Sequence, residues 1–193
     1  MISRLSDRIA YRLYACGVVP EQSIPLYSYA VFRLVFALVP FLLVVTIGTT
    51  MGMLIEGLMM IVPFMLLRKF FGGYHMKSHA LCLLSSVAIL SLTLSFIKNF
   101  EASNQLLYAV ITSAAAVELF AVGTIDSEAR KLSCKELLVF SAIGRTLIGL
   151  VLLAFFFAKQ RGQLSIAMSI GASIILAAIL HIISKIKKAQ ANH

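Results

Sequence analysis

Residues 34–67 read LVFALVPFLLVVTIGTTMGMLIEGLMMIVPFMLL, and the only charged side chain among them belongs to Glu56. One membrane-crossing helix needs roughly 20 apolar residues, so this run is long enough for two rather short helices. Gly48 and Gly52 stand near its middle, where the backbone turns readily because glycine lacks a Cβ. The stretch therefore predicts a hairpin of two apolar helices in a membrane.

The composition of the whole chain agrees with this prediction. Its 193 residues are 60% hydrophobic and 13% charged, whereas ordinary globular domains are roughly 45–50% apolar and 25% charged. Apolar runs of spanning length recur along the chain and are separated by short charged segments. We therefore predict an all-α, polytopic integral membrane protein with a single domain over residues 1–193.

Six apolar segments are predicted to span the membrane, and one basic segment precedes them. In residues 2–15, Arg4, Arg8 and Arg12 recur every fourth residue beside an apolar stripe, which is typical of an amphipathic helix lying on anionic membrane lipids. The predicted spans lie near residues 31–49, 52–68, 80–97, 105–122, 137–158 and 164–183.

The distribution of Arg and Lys predicts the orientation of these spans. Twelve of them fall on the side that holds the N-terminal helix, the 68–80 loop, the 123–136 loop and the C-terminal tail, against three on the other side. The positive-inside rule then makes both termini and the 68–80 loop cytoplasmic. The net charge of +9 does not indicate a nucleic-acid partner, because the cations flank apolar runs instead of forming one patch.

A reactive segment, RKFFGGYHMKSHALC, occupies residues 68–82 between two predicted spans. A thiolate nucleophile such as Cys82 needs a nearby base or cation. On an unbroken helix His79 would lie on the same face as Cys82, whereas His75 would be about 10 Å away. A bend at the paired glycines 72 and 73 would let His75 approach instead, so spacing alone leaves both histidines open as the base.

The residues of this segment also allow two other interpretations. The spacing of His75, His79 and Cys82 offers three zinc ligands, but no fourth ligand or second cluster accompanies them, so neither a metal nor another cofactor is predicted. Cys82 also has the size and polarity of an ordinary core residue. Because the three cysteines are odd in number and widely spaced, no disulfide framework is predicted.

The order of a basic pair, a glycine, a histidine and, seven residues later, a cysteine is formed here by Arg68, Lys69, Gly73, His75 and Cys82. This pattern resembles the accessory gene regulator B (AgrB) family of bacterial membrane cysteine endopeptidases, and the basic start and six spans are similar too. The resemblance implies a multi-pass protein of the bacterial cell membrane. It also implies a cytoplasmic active site with a Cys82 nucleophile and a His75 base, and makes His79 a bystander.

The resemblance further implies a reaction and a partner. The enzyme would cleave the C-terminal part of a small quorum-sensing precursor peptide through a Cys82 thioester, and promote cyclisation to a thiolactone or lactone. Such precursors combine an amphipathic helix with an acidic tail. Membrane lipids are the other expected partner, and a homodimer is the oligomer that the resemblance suggests.

Several residues are predicted to support this chemistry. Asp126 is the predicted third catalytic member, with Glu118, Glu56 and Ser78 as open alternatives. The residues expected to bind or support the substrate are Arg68, Lys69, Gly72, Gly73, Arg130 and Lys131.

Charges within the predicted spans need partners, because an unpaired charge near the bilayer centre costs about 3 kcal/mol. We therefore predict a structural contact between Glu118 and Arg145. Six spans with buried charges would also suit a small membrane transporter or peptide exporter subunit, which is the alternative function. No inverted repeat is visible to favour it.

Overall fold

A computed structural model describes residues 2–72, 79–100, 104–124 and 133–191, and all regular structure within them is helical, which confirms the all-α prediction. The helices are α1 (Ile2–Ala15), α2 (Ile24–Met51), α3 (Leu54–Phe71), α4 (His79–Lys98), α5 (Gln105–Val122), α6 (Cys134–Gln160) and α7 (Leu164–Ala191). A short 3₁₀ turn, Glu21–Ser23, precedes α2.

The chain divides into two compact units, Met1–Leu43 and Val44–His193. In the first unit, α1 covers the residues of the predicted amphipathic helix. Ser6 and Ala10 on this helix are buried, whereas Arg8 and Arg12 are exposed. The Ser28 hydroxyl on α2 donates a hydrogen bond to the Asp7 carboxylate of α1, so a polar contact joins the two helices of this unit.

In the second unit, the turn between α2 and α3 is tighter than the sequence predicted. The helix α2 continues through Gly48 to Met51, and only Gly52 and Met53 lie between the helices. Gly52 has φ +69°, and the Met53 N–H donates to the Gly48 carbonyl at 2.7 Å. A Cβ on Gly48 would lie 3.0 Å from the Leu54 Cα. Gly48 therefore allows a close approach of the two backbones, while Gly52 supplies the turn.

The helix α7 forms the centre of the second unit, since it packs against α3, α4, α5 and α6. Its residues Met168, Ile174 and His181 are fully buried. Small residues on α7 let its neighbours approach: a Cβ on Gly171 would lie only 2.7 Å from the Tyr108 ring. The Tyr108 hydroxyl donates to the Met168 carbonyl at 2.6 Å, which fixes α5 against α7.

Four helices of the described chain are long and apolar enough to cross a membrane, and they confirm a multi-pass membrane protein. They are Leu81–Lys98, Gln105–Val122, Lys135–Gln160 and Leu164–Gln190. The helix α3 carries Glu56, Arg68 and Lys69, and the apolar stretch Leu38–Met51 of α2 is shorter. The total of six spans and the orientation of the termini stay predictions.

In the second unit, the end of α5 contacts both the end of α3 and an early turn of α6. The Thr124 hydroxyl, just after α5, donates to the carbonyl of Phe70 near the end of α3 at 2.9 Å. Gly123 lies against Ser141 near the start of α6. We call this end of the unit, where α3 and α5 finish and α6 begins, the Gly72 end. It contains the candidate functional site.

Candidate functional site

The helix α3 ends one residue before the paired glycines. Gly72 has φ +80° and ψ −166°, and its N–H donates to the Arg68 carbonyl at 3.1 Å. Backbone angles of this kind are adopted almost only by glycine. The next described helix, α4, begins at His79. The chain from Arg68 to Cys82 is therefore not one continuous helix, so the distance of about 10 Å expected between His75 and Cys82 on an unbroken helix does not apply. His79 and Cys82 are three residues apart on the same helix, α4.

Cys82 lies on the first turn of α4 as a half-buried free thiol. Its carbonyl oxygen accepts hydrogen bonds from the hydroxyls of Ser85 at 2.9 Å and Ser86 at 2.8 Å. These bonds direct the hydroxyls of the following turn to the helix backbone. The sulfur thus belongs to a well-formed helix that starts close to it.

The two members of the basic pair have different surroundings. The half-buried Arg68 interacts electrostatically with Cys82, and its guanidinium lies 6.0 Å from the centre of the Phe64 ring. Lys69 is exposed, with its Nζ 5.7 Å from the centre of the Phe70 ring. A positive charge beside a thiol stabilises its anionic form. Arg68 is thus a described cation that lies near Cys82.

Several predicted site residues lie outside the part of the chain that the structure describes, so their roles stay predictions: Gly73, His75, Asp126, Arg130, Lys131 and the alternative Ser78. His79 is the first residue of α4, but its side chain is outside the description. Among the described residues, no group of three or more His, Cys, Asp and Glu side chains could hold a metal ion.

Glu56 can be judged as a partner for His75 by distance alone. It lies in the first turn of α3, about 24 Å along the helix from Gly72 at 1.5 Å per residue. His75 follows Gly72 by three residues, which extend at most about 11 Å. Glu56 is therefore too far away to orient His75.

A second polar cluster lies at the Gly72 end and was not predicted from the sequence. The His181 Nδ1 atom on α7 lies 3.0 and 3.3 Å from the two carboxylate oxygens of Glu118 on α5. The Nε2 atom of the same ring lies 3.0 Å from the carbonyl oxygen of Gly123. Because a carbonyl only accepts hydrogen bonds, Nε2 carries a proton and donates it. Both ring nitrogens of this fully buried histidine are engaged.

The predicted contact between Glu118 and Arg145 is wrong. Arg145 instead donates from Nε to the Phe120 carbonyl at 3.2 Å, and its guanidinium lies 5.6 Å from the Phe120 ring centre. The prediction paired opposite formal charges and overlooked His181 as a partner. An ionisable residue in the long apolar run of the last span was the available signal.

The end of α3 is held by three other helices or their ends. The Phe71 side chain is 1% exposed, and its ring stands edge-on to the His181 ring at a centroid distance of 6.2 Å. A Cβ on Gly144 of α6 would lie 3.2 Å from the Phe71 ring. Together with the bond from Thr124 to the Phe70 carbonyl, these contacts form what we call the Phe71 socket. The last residue before Gly72 is thereby fixed.

A comparison with protein families gives one match. The family model described as AgrB, accessory gene regulator B, matches residues 6–185. This range includes the whole segment from Arg68 to Cys82. It also includes all seven described helices, except for the first residues of α1 and the last residues of α7. No curated protein and no solved structure matches the chain. The chain therefore belongs to the accessory gene regulator B family, which takes part in processing the autoinducer of agr quorum sensing.

Proposed function

We propose that this protein is a membrane cysteine endopeptidase that cleaves a small quorum-sensing precursor peptide, with Cys82 as nucleophile and His75 as base. One observation carries the proposal: in a chain of this family, the half-buried free thiol of Cys82 interacts with Arg68 across a helix break at Gly72. A partly exposed thiol beside a cation is typical of a reactive cysteine.

The reaction proceeds in two acyl transfers. His75 takes the proton of Cys82, and the sulfur attacks the carbonyl carbon of the scissile peptide bond. The carbon–nitrogen bond breaks, the leaving amine receives the proton, and the C-terminal fragment departs from a thioester on Cys82. A cysteine or serine of the bound precursor then attacks this thioester, which closes a thiolactone or lactone and restores the Cys82 thiol.

Cyclisation outruns hydrolysis because the attacking group belongs to the bound acyl chain. An internal nucleophile held near the thioester has a far higher effective concentration than a separate molecule would have. Asp126 is proposed to orient His75, and the glycines at 72 and 73 to admit the substrate backbone. Neither step needs a metal or another cofactor in this proposal.

The charges of the described helices support a cytoplasmic site and an acidic substrate. The exposed cations at the Gly72 end are Lys69, Lys135, Lys185, Lys187 and Lys188, whereas the opposite end has the exposed Lys98 and Arg161 and the half-buried Lys159. The positive-inside rule favours the first group as cytoplasmic, in the bacterial cell membrane. The same cations, together with Arg68, Arg130 and Lys131, suit the acidic tail of a precursor that also has an amphipathic helix. A homodimer remains part of the proposal.

A small transporter or peptide exporter subunit is the second candidate function. The pair of Glu118 and His181 favours it, because ionisable residues within spans often mark transport pathways. The two functions make different demands on Cys82, since a transporter has no need of its thiol.

Co-expression with a precursor peptide tests the proposal directly. We expect cleavage by the wild type and by His79→Ala, and no cleavage by Cys82→Ala or His75→Ala. Cys16→Ala is a matched control, because Cys16 is also a free thiol but is exposed near the end of α1. Replacing the precursor's own nucleophile by alanine should trap a hydroxylamine-sensitive adduct on Cys82. Cleavage by the Cys82→Ala variant would exclude this mechanism.

A further inference from the structure

The pair of Glu118 and His181 has no part in the reaction proposed above. Glu118 is partly exposed, with 23% of its side chain accessible, whereas His181 is fully buried. The proton between them resides either on Nδ1 or on the carboxyl group, and the pair has no net charge in either state. In both states Nε2 keeps its proton and donates to the Gly123 carbonyl. The histidine therefore holds the end of α5 whichever partner carries the shared proton.

The backbone that His181 holds has little room to move. Gly123 has φ +72°, and a Cβ there would lie 2.8 Å from the Ser141 hydroxyl. Its N–H donates to the Leu119 carbonyl at 3.0 Å. The next residue, Thr124, bonds to the carbonyl of Phe70. A shift of the Gly123 carbonyl would thus be passed to the last turn of α3.

The same histidine also contacts this turn directly. Its ring packs edge-on against Phe71, which is followed at once by the helix break at Gly72. Arg68, one turn earlier, interacts with Cys82. His181 is therefore connected by two routes, through Gly123 and through Phe71, to the point from which the segment bearing His75 departs.

We propose that His181, oriented by Glu118, is a positioning residue that sets the approach of His75 to Cys82 by fixing the end of α3. This inference rests on the proposed function, since it assigns a task to the Phe71 socket within that reaction. A displacement of about 1 Å between reacting groups lowers a rate by about 10²-fold. The His181 ring contacts Phe71, the residue directly before Gly72.

Two substitutions at this position separate its two hydrogen bonds. The amide nitrogen of glutamine lies near the position of the imidazole Nε2, and that of asparagine lies near Nδ1. His181→Gln therefore keeps a donor toward Gly123, whereas His181→Asn keeps only the bond toward Glu118. For the purified full chain in phosphatidylglycerol and phosphatidylethanolamine vesicles, we expect His181→Asn to lower kcat for precursor cleavage about 10²-fold with KM unchanged. His181→Gln should restore most of kcat.

A second measurement needs no precursor. In a Cys16→Ser, Cys134→Ser background, the rate of alkylation by iodoacetamide reports the reactivity of Cys82 alone. We expect this rate to fall in the His181→Asn variant and to recover in His181→Gln. If the wild type cleaves no precursor, the proposed function fails, and alkylation then decides the positioning role by itself.

A variant of the neighbouring contact covers the case in which His181→Asn does not fold. Thr124→Val removes the hydrogen bond to the Phe70 carbonyl, which belongs to the route through Gly123. Thr124→Ser keeps a hydroxyl and is the matched control. Thr124→Val should lower kcat and the alkylation rate in folded protein, and Thr124→Ser should not. Unchanged kcat and alkylation in folded His181→Asn, or in Thr124→Val if only that variant folds, would overturn the proposal. The proposal would also be overturned if the two variants of a pair, such as His181→Asn and His181→Gln, lost activity equally and only in proportion to their loss of folded protein.

Discussion

Replacement of Gly72 by alanine should separate the shape of the backbone from the chemistry of the side chains. Gly72 has φ +80° and ψ −166°, a region that is essentially restricted to glycine and that costs other residues about 1–3 kcal/mol. We expect the reactive segment to keep its geometry only while residue 72 keeps these angles. The strain energy of alanine at this position would then add to the activation free energy of precursor cleavage. Since about 1.4 kcal/mol corresponds to a factor of ten, kcat/KM for precursor cleavage should fall about 5- to 150-fold.

The control for Gly72→Ala is Gly162→Ala. Gly162 also has a positive φ, +72°, but it lies between α6 and α7 at the opposite end of the unit, and a Cβ there would meet nothing within 4 Å. Both variants should therefore lose stability, measured as the thermal unfolding midpoint in detergent. Only Gly72→Ala should lose activity per folded molecule. Equal cleavage by both variants would refute the role assigned to the Gly72 bend.

Three further predictions concern the packing and the charges of the second unit. Gly171→Ala should destabilise the bundle by about 1–3 kcal/mol, because the new Cβ would lie 2.7 Å from a tyrosine ring. Gly149→Ala should not destabilise it in this way, because a Cβ there would meet nothing within 4 Å. The thermal unfolding midpoints of the two variants test this difference. Arg68→Gln should slow iodoacetamide alkylation of Cys82, whereas Lys69→Gln should leave that rate unchanged, since the half-buried arginine interacts with Cys82 and Lys69 is exposed. Ser133→Ala removes a capping box at the start of α6 and should lower unfolding free energy by about 1 kcal/mol, with Ser133→Asp restoring it.

The helices were largely predictable from the sequence, because each apolar run carries its own evidence. The run at residues 34–67 correctly predicted a helix pair with a turn near Gly52. Its limits were less predictable, since tyrosine and arginine side chains at a membrane surface continue a helix without adding to its apolar length. The helix α2 thus begins at Ile24, whereas the span was predicted from about residue 31.

The partners of the charged residues within the apolar helices were not predictable in the same way. The sequence gives the depth of Glu118 and Arg145 along their helices, but it does not give the direction in which each side chain points. That direction depends on α7, which brings His181 to Glu118 from 63 residues away. Arg145 instead donates a hydrogen bond to the backbone carbonyl of Phe120. The pattern of charged residues in the sequence does not reveal such an acceptor.

The candidate site lies between these two cases. The motif selected Cys82 and the basic pair, and the helix break explains why Arg68 interacts with a thiol fourteen positions later. The sequence did not distinguish Arg68 from Lys69, because their difference in burial depends on the packing of α3. The Phe71 socket was also missed, since its members come from four separate segments.

The central position of α7 has a consequence for the making of this protein. Membrane helices enter the bilayer as the chain is synthesised and associate afterwards, and α7 follows α3, α4, α5 and α6 along the chain. Glu118 must therefore enter the membrane before its partner His181 has been translated. A chain terminated before α7 would lack the contacts that α7 makes with α3, so the bundle forms only after α7 has been synthesised.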